Sequence, residues 1–110
     1  MAKLTNRVEA NGTSFHDTVI KTTVNKLTKA LGEAQIIGNT GEDKVNFDWI
    51  CETENGDIFT IYDWKEYRVL DLDETIEFHI GGKNRTVTQE AKESYENVWI
   101  CDCLMEVLVG

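Results

Sequence analysis

The chain has 110 residues, 41% of them hydrophobic, with 20 acidic against 11 basic side chains and a formal net charge of -9. That length suits one domain, residues 1-110, whose core needs no metal or disulfide staple, and it excludes a second domain. The acidic balance argues against direct nucleic-acid binding, and three cysteines without a charged and then apolar leader make a reducing cytoplasm the expected compartment.

Residues 1-12 lack periodicity and read as a short strand or an arm over the core. Thr13-Ser14 then precedes Phe15, Val19 or Ile20, Val24, Leu27 and Leu31, a stripe with helical spacing that predicts a first helix over 14-31, and Gly32 stands where a left-handed cap belongs. Ile36-Ile37 reads as a short strand and Gly38 to Gly41 as a loop.

The segment from Lys44 to Tyr67 predicts a hairpin, because Asn55-Gly56 is a favoured two-residue type I′ turn between strand-forming flanks. That turn pairs Trp49 with Tyr62, Asp48 with Asp63 and Phe47 with Trp64. One face then carries Val45, Phe47, Trp49, Cys51, Ile58, Tyr62 and Trp64. The other carries Ile50, Phe59 and Ile61 near the turn, with Asn46, Asp48, Asp63 and Lys65 at the open end. Asp48 opposite Asp63 is a local conflict, relieved by solvent and Lys65, by a metal, or by a protein partner.

Ile76-Glu-Phe-His-Ile80 alternates strictly and predicts a further strand with Ile76, Phe78 and Ile80 on one face and Glu77 and His79 on the other. Gly81-Gly82-Lys83-Asn84-Arg85 reads as a turn, and Thr86-x-x-Gln89 as a capping box that opens a second helix over 87-107. Its end is apolar on nearly every side, which implies either burial in the monomer or a homodimer through residues 98-109. Asp102 and Glu106 interrupt the run from Val98 to Val109, which is too short and too polar to span a membrane. The expected fold class is α+β, a small antiparallel sheet of the hairpin plus at least one further strand, with two helices packed on one face.

Residues 42-77 hold twelve acidic and three basic side chains, a balance of -9, whereas residues 1-41 balance at +2 and 78-110 at -2. An acidic face of this kind attracts a basic protein, through Asp48, Glu52, Glu54, Asp57 and Asp63. The competing site is a pocket around Tyr62, Trp64, Lys65, His79, Gly81, Gly82 and Lys83, where backbone amides and cations could hold an anion. His16 reads as a surface residue. Cys101-x-Cys103 lacks zinc spacing and Cys51 reads as a buried thiol, so no metal and no cofactor is expected. No nucleophile motif or phosphate loop occurs, and the remote enzymatic option is a hydrolase with His79 and Asp63 as acid and base.

Lys44-Val45, Trp49, Asn55-Gly56, Thr60-Ile-Tyr-Asp-Trp-Lys65 and Phe78-His-Ile-Gly-Gly82 together resemble the pattern of a small, mostly uncharacterised protein family carried by tailed bacteriophages. The likeness covers residues 13-82. Ala30-Leu-Gly-Glu33 is similar to that family's helix end, while Phe78 replaces its usual Trp. The resemblance implies a non-enzymatic inhibitor of a host defence system, acting in the host cytoplasm. It would bind a basic host protein through the acidic sheet face, which the charge distribution favours because an anionic nucleotide is repelled by the acidic chain, and the alternative is a sponge for a small nucleotide signal in the pocket near His79, Gly81 and Gly82.

Overall fold

The computed structural model describes residues 3-4, 13-42, 44-53 and 56-96. In chain order these form β1 (Lys3–Leu4), β2 (Ser14–Thr22), α1 (Val24–Leu31), β3 (Ile36–Ile37), β4 (Phe47–Glu52), β5 (Ile58–Asp63) and β6 (Ile76–Gly82), followed by helix α2 over 85-96. The main path of the antiparallel sheet runs β4-β5-β6-β2, and both β1 and β3 pair with the outer edge of β4. Both helices contribute to the apolar core on one face, Val24 and Leu27 from α1 and Val87, Ala91 and Tyr95 from α2, so the fold is α+β as expected. No helix among the described residues is long and apolar enough to cross a membrane.

The hairpin forms, but its register is one residue away from the two-residue turn. Asp48 pairs with Tyr62, Trp49 with Ile61, Ile50 with Thr60 and Cys51 with Phe59. Thr53 N–H donates to the Asp57 carbonyl at 2.8 Å, Asp57 N–H donates to Thr53 Oγ1 at 3.1 Å, and Gly56 has φ 84°. This is the signature of a three-residue connection with glycine in its left-handed position. The slip has a clear physical cause. It places Phe47, Trp49, Cys51, Phe59 and Ile61 on one face, all of them buried, whereas the expected register would have set Thr60 opposite Cys51 in that core. Asp48 and Asp63 consequently lie on opposite faces, and the expected conflict between facing carboxylates does not arise.

Residues 14-22 are a strand and not the first half of a helix. Thr18, Val19, Ile20 and Thr22 are β-branched, and Thr18, Ile20 and Thr22 are buried in alternation against β6. Between Phe15 and Val19 the register shifts, with Asp17 at φ 65°, and the bulge kinks this edge strand. The helix starts only at Val24, capped by Thr23, whose side chain accepts from Lys26 N–H at 3.0 Å. It ends, as expected, at Gly32 with φ 96°.

β6 extends through Gly81 and Gly82, so the diglycine belongs to a strand and not to a turn. The second helix is capped by Asn84, whose Oδ1 accepts from Val87 N–H at 2.9 Å, in place of the expected Thr86 box. The expected continuation to residue 107, and the dimer surface at 98-109, lie outside the described residues.

The outer edge of β4 is closed in an economical way. β3 pairs with Phe47 and Asp48, β1 pairs with Cys51 and Glu52, and the Gln35 side chain bridges the gap. Its amide donates to the Ile50 carbonyl at 2.8 Å and accepts from Ile50 N–H at 2.9 Å, as a neighbouring strand would.

Candidate ligand-binding site

The face of the sheet turned away from the helices is built from the residues between the core positions. Across the strands one row reads Asp48, Tyr62, His79 and Val19, and the next reads Ile50, Thr60, Gly81 and Phe15. Gly81 carries no side chain, and the Thr60 hydroxyl crowds the position that a Cβ would take, so only glycine fits this buried row. A Cβ there would stand 2.8 Å from Thr60 Oγ1 and 3.6 Å from Tyr62 Cε1. On this face lies a cleft of about 250 Å³ lined by Thr13, Ser14, Val45, Asp48, Thr60, Tyr62, Trp64 and Gly81.

Aromatic rings form the wall of the cleft and its support. Tyr62 meets Trp64 edge to face at 6.1 Å and meets His79 at 5.7 Å. His79 stacks on Phe15 at 4.1 Å and 13°, and lies 6.3 Å from Trp64. Trp64 is 40% exposed, so its ring remains accessible to a ligand. Lys65 and Lys44 bring their ammonium groups to 5.5 Å and 6.0 Å from the Trp64 ring centre, within cation–π range.

Two loops set this rim. Asn39 donates to the Leu70 carbonyl at 2.9 Å and accepts from Leu70 N–H at 2.7 Å, Asn46 Nδ2 donates to the Arg68 carbonyl at 3.0 Å, and Lys65 N–H donates to the Lys44 carbonyl at 2.7 Å. Loop 38-46 is thereby stitched to loop 64-72. Lys65 and Tyr67 adopt φ 55° and 49°, a left-handed backbone held by these bonds.

The electrostatics follow from burial. Burial pushes the Tyr62 phenol above its ordinary value, and the Asp48 charge adds to that, so Tyr62 is a neutral hydrogen-bonding group. Burial lowers the His79 imidazole, opposed by Glu77, which leaves a neutral ring to stack on Phe15 at neutral pH. Cys51, behind Asp48 on the core side, is pushed up to about 12 by burial and then by Asp48, which makes it an inert thiol. Asp48 itself is half-buried, with Oδ1 enclosed.

The expected acidic platform is not assembled on one face. Asp63 is fully buried on the core side, where Oδ1 accepts from Asn46 and Phe47 N–H at 2.8 Å each and Oδ2 from Asn46 N–H at 3.1 Å. Burial raises its pKa and these amides pull it back. Asp57 forms an ion pair with Lys83 at 2.9 Å, Glu52 is half-buried on β4, and Glu54 lies outside the described residues. His79 and Asp63 point to opposite faces, so they do not form the acid-base pair of a hydrolase.

Of the expected pocket residues, the structure brings together Tyr62, Trp64, Lys65, His79 and Gly81. Gly82 instead faces α2, where a Cβ would stand 3.0 Å from Thr88, and Lys83 is committed to Asp57. His16 is half-buried, and its Nε2–H donates to the Gly82 carbonyl at 3.0 Å, tying the bulge to β6. Phe15, Ser14, Thr60 and Lys44 were not legible as site residues. Reading 14-22 as a strand would have placed Phe15 beside Gly81. Among the described residues no group of His, Cys, Asp and Glu has metal-binding geometry. Comparison with known protein families, curated proteins and solved structures finds no match.

Proposed function

We propose that the protein is a non-enzymatic receptor that sequesters a small nucleotide in the cleft of the outward sheet face. The observation that carries this reading is the convergence of Trp64, Tyr62, Lys44 and Lys65 at a cleft that Thr60 and Gly81 also line. An exposed indole offers a stacking surface worth about 1–3 kcal/mol per base. The two ammonium groups supply the local positive charge that an anionic ligand needs to approach a chain of net charge -9. A volume of about 250 Å³ suits a single base, with sugar and phosphate outside at the lysine rim.

The acidic excess elsewhere disfavours polymeric nucleic acid and so favours a free nucleotide over a strand. The burial of Asp63 on the core side and the pairing of Asp57 with Lys83 favour this reading over a grip on a basic host protein by all five expected carboxylates. In the phage setting that the resemblance implies, capture of a nucleotide would withhold a signal from host defence. Calorimetric titration with a panel of cyclic and linear nucleotides at micromolar protein tests the proposal. Heat from at least one of them, lost in Trp64→Ala, is expected. No heat from any of them refutes it.

A further inference from the structure

We infer that the loop over residues 66-74 is a docking surface for a cationic, amphipathic protein segment. None of its residues lines the cleft, and the inference is independent of the nucleotide reading. The starting observation is exposed apolar area. Tyr67, Val69 and Leu72 are 52%, 61% and 44% exposed, although all three are large apolar or aromatic side chains. Exposed side chains of this kind, gathered in one segment and rimmed by polar groups, mark an interaction surface.

The loop is held in place by its own hydrogen bonds. Leu70 is buried in the core, and its main chain is gripped by Asn39, which accepts from Leu70 N–H at 2.7 Å and donates to the Leu70 carbonyl at 2.9 Å. Arg68 reaches across the segment, where Nη1 and Nη2 donate to Glu74 at 2.6 and 3.0 Å. Glu74 Oε1 also accepts from Asp71 N–H at 2.9 Å, and Asp71 Oδ1 accepts from Asp73 N–H at 2.8 Å. Val69 and Leu72 are thus presented by one closed turn. A surface fixed in advance loses less conformational entropy when a partner covers it.

Charge selects the occupant. Glu66, Asp71, Asp73 and Glu74 stand against Arg68 alone in this segment, and Arg68 is already committed to Glu74 and, at 3.7 Å, to Glu66. A second copy would set two acidic loops against each other, and nucleic acid or an anionic lipid surface would be repelled as well. A protein segment with Lys or Arg beside apolar side chains meets both features at once. Its apolar groups cover Tyr67, Val69 and Leu72 while its cations face Asp71 and Asp73. These carboxylates are not among the five expected on the sheet face.

The probe is a short fluorescein-labelled peptide with Leu and Lys at helical amphipathic spacing, titrated with the intact protein and read by fluorescence anisotropy. One companion peptide carries Glu in place of Lys, and another carries Ser in place of Leu. The Leu/Lys peptide should bind roughly tenfold or more tightly than either companion. Val69→Ser with Leu72→Ser should weaken it by a similar factor, and because both sites are exposed their thermal melts should match the parent. Asp71→Asn with Asp73→Asn should weaken it several-fold at low salt and less at high salt, since the replaced side chains keep a carbonyl oxygen for the residue-73 N–H and the Asn25 amide. Glu93→Gln with Glu96→Gln removes two charges from α2 and should change the affinity by less than about twofold. No binding of the Leu/Lys peptide, equal binding of the Ser/Lys companion, or binding that Val69→Ser with Leu72→Ser leaves unchanged overturns the inference. A dimer in sedimentation velocity that those two substitutions dissociate overturns it too, because a second copy is then the occupant.

Discussion

Replacing Asp63 tests the reassignment of that residue from surface to core. Two buried backbone N–H groups, of Asn46 and Phe47, depend on its carboxylate through contacts of 2.8, 2.8 and 3.1 Å. An orphaned buried donor costs about 1–3 kcal/mol, so Asp63→Ala forfeits about 2–6 kcal/mol, partly offset because a buried charge disappears with it. The expected net loss is about 3 kcal/mol, a large share of the 5–15 kcal/mol typical of a domain. Asp63→Asn should lose only about 1 kcal/mol. Its carbonyl oxygen can keep both 2.8 Å contacts, while its amino group meets Asn46 N–H donor to donor. Asp48→Asn, on the other face, should stay within about 1 kcal/mol of the parent. Urea denaturation followed by tryptophan fluorescence, to which the buried Trp49 contributes, reads all three variants. A loss below about 0.5 kcal/mol in Asp63→Ala, or equal losses for Asp48→Asn and Asp63→Ala, would refute the structural role given to Asp63.

Three further outcomes follow from the same geometry. Gly41 has φ 77° and a Cβ on it would stand 2.7 Å from the Arg68 backbone, so Gly41→Ala should cost about 2 kcal/mol or more, whereas Gly38→Ala, with open space around it, should be nearly neutral in thermal melts. Gly81→Ala should destabilise by about 1–2 kcal/mol against Thr60 and, by displacing that cleft residue, reduce nucleotide affinity, as calorimetry would report. His79 has a lowered folded pKa, caused by burial, so the unfolded chain takes up its proton first as pH falls. The stability it contributes is therefore present above its ordinary value of 6.5 and is lost as pH falls from there through the folded pKa. Urea midpoints of the parent and of His79→Phe across that range should show the loss only in the parent.

Much of the fold is legible in the chain because alternation and apolar spacing carry it. Ile76, Phe78 and Ile80 alternate with Glu77 and His79, and the strand is where that pattern puts it. The apolar spacing from Phe15 to Leu31 misleads, since a bulged strand followed by a short helix imitates one long helical stripe, and only the β-branched content of 18-22 argues otherwise. The register of the hairpin is hidden in Thr53, whose side chain accepts from Asp57 N–H and favours the longer connection over the two-residue turn that Asn55-Gly56 suggests. Asp63 could not be read as buried because its partners are backbone amides, which have no signature in composition. Tyr62, Trp64 and His79 were expected together, and their rings do meet, because they lie on the paired strands β5 and β6 or just beyond the end of β5. Lys44 and Phe15 reach the same place only through the stitched loops and the β2 bulge.

The most direct test of nucleotide capture on the outward face is a chemical-shift map of the 15N-labelled protein on addition of the four nucleoside monophosphates and their cyclic forms. The largest changes should fall on the amides of Ser14, Thr60, Tyr62 and Gly81 and on the Trp64 indole N–H, which a Trp64→Phe sample distinguishes from those of Trp49 and Trp99. An unchanged spectrum at those positions, or changes confined to the turn end around Glu52, Asp57 and Lys83, would contradict the account.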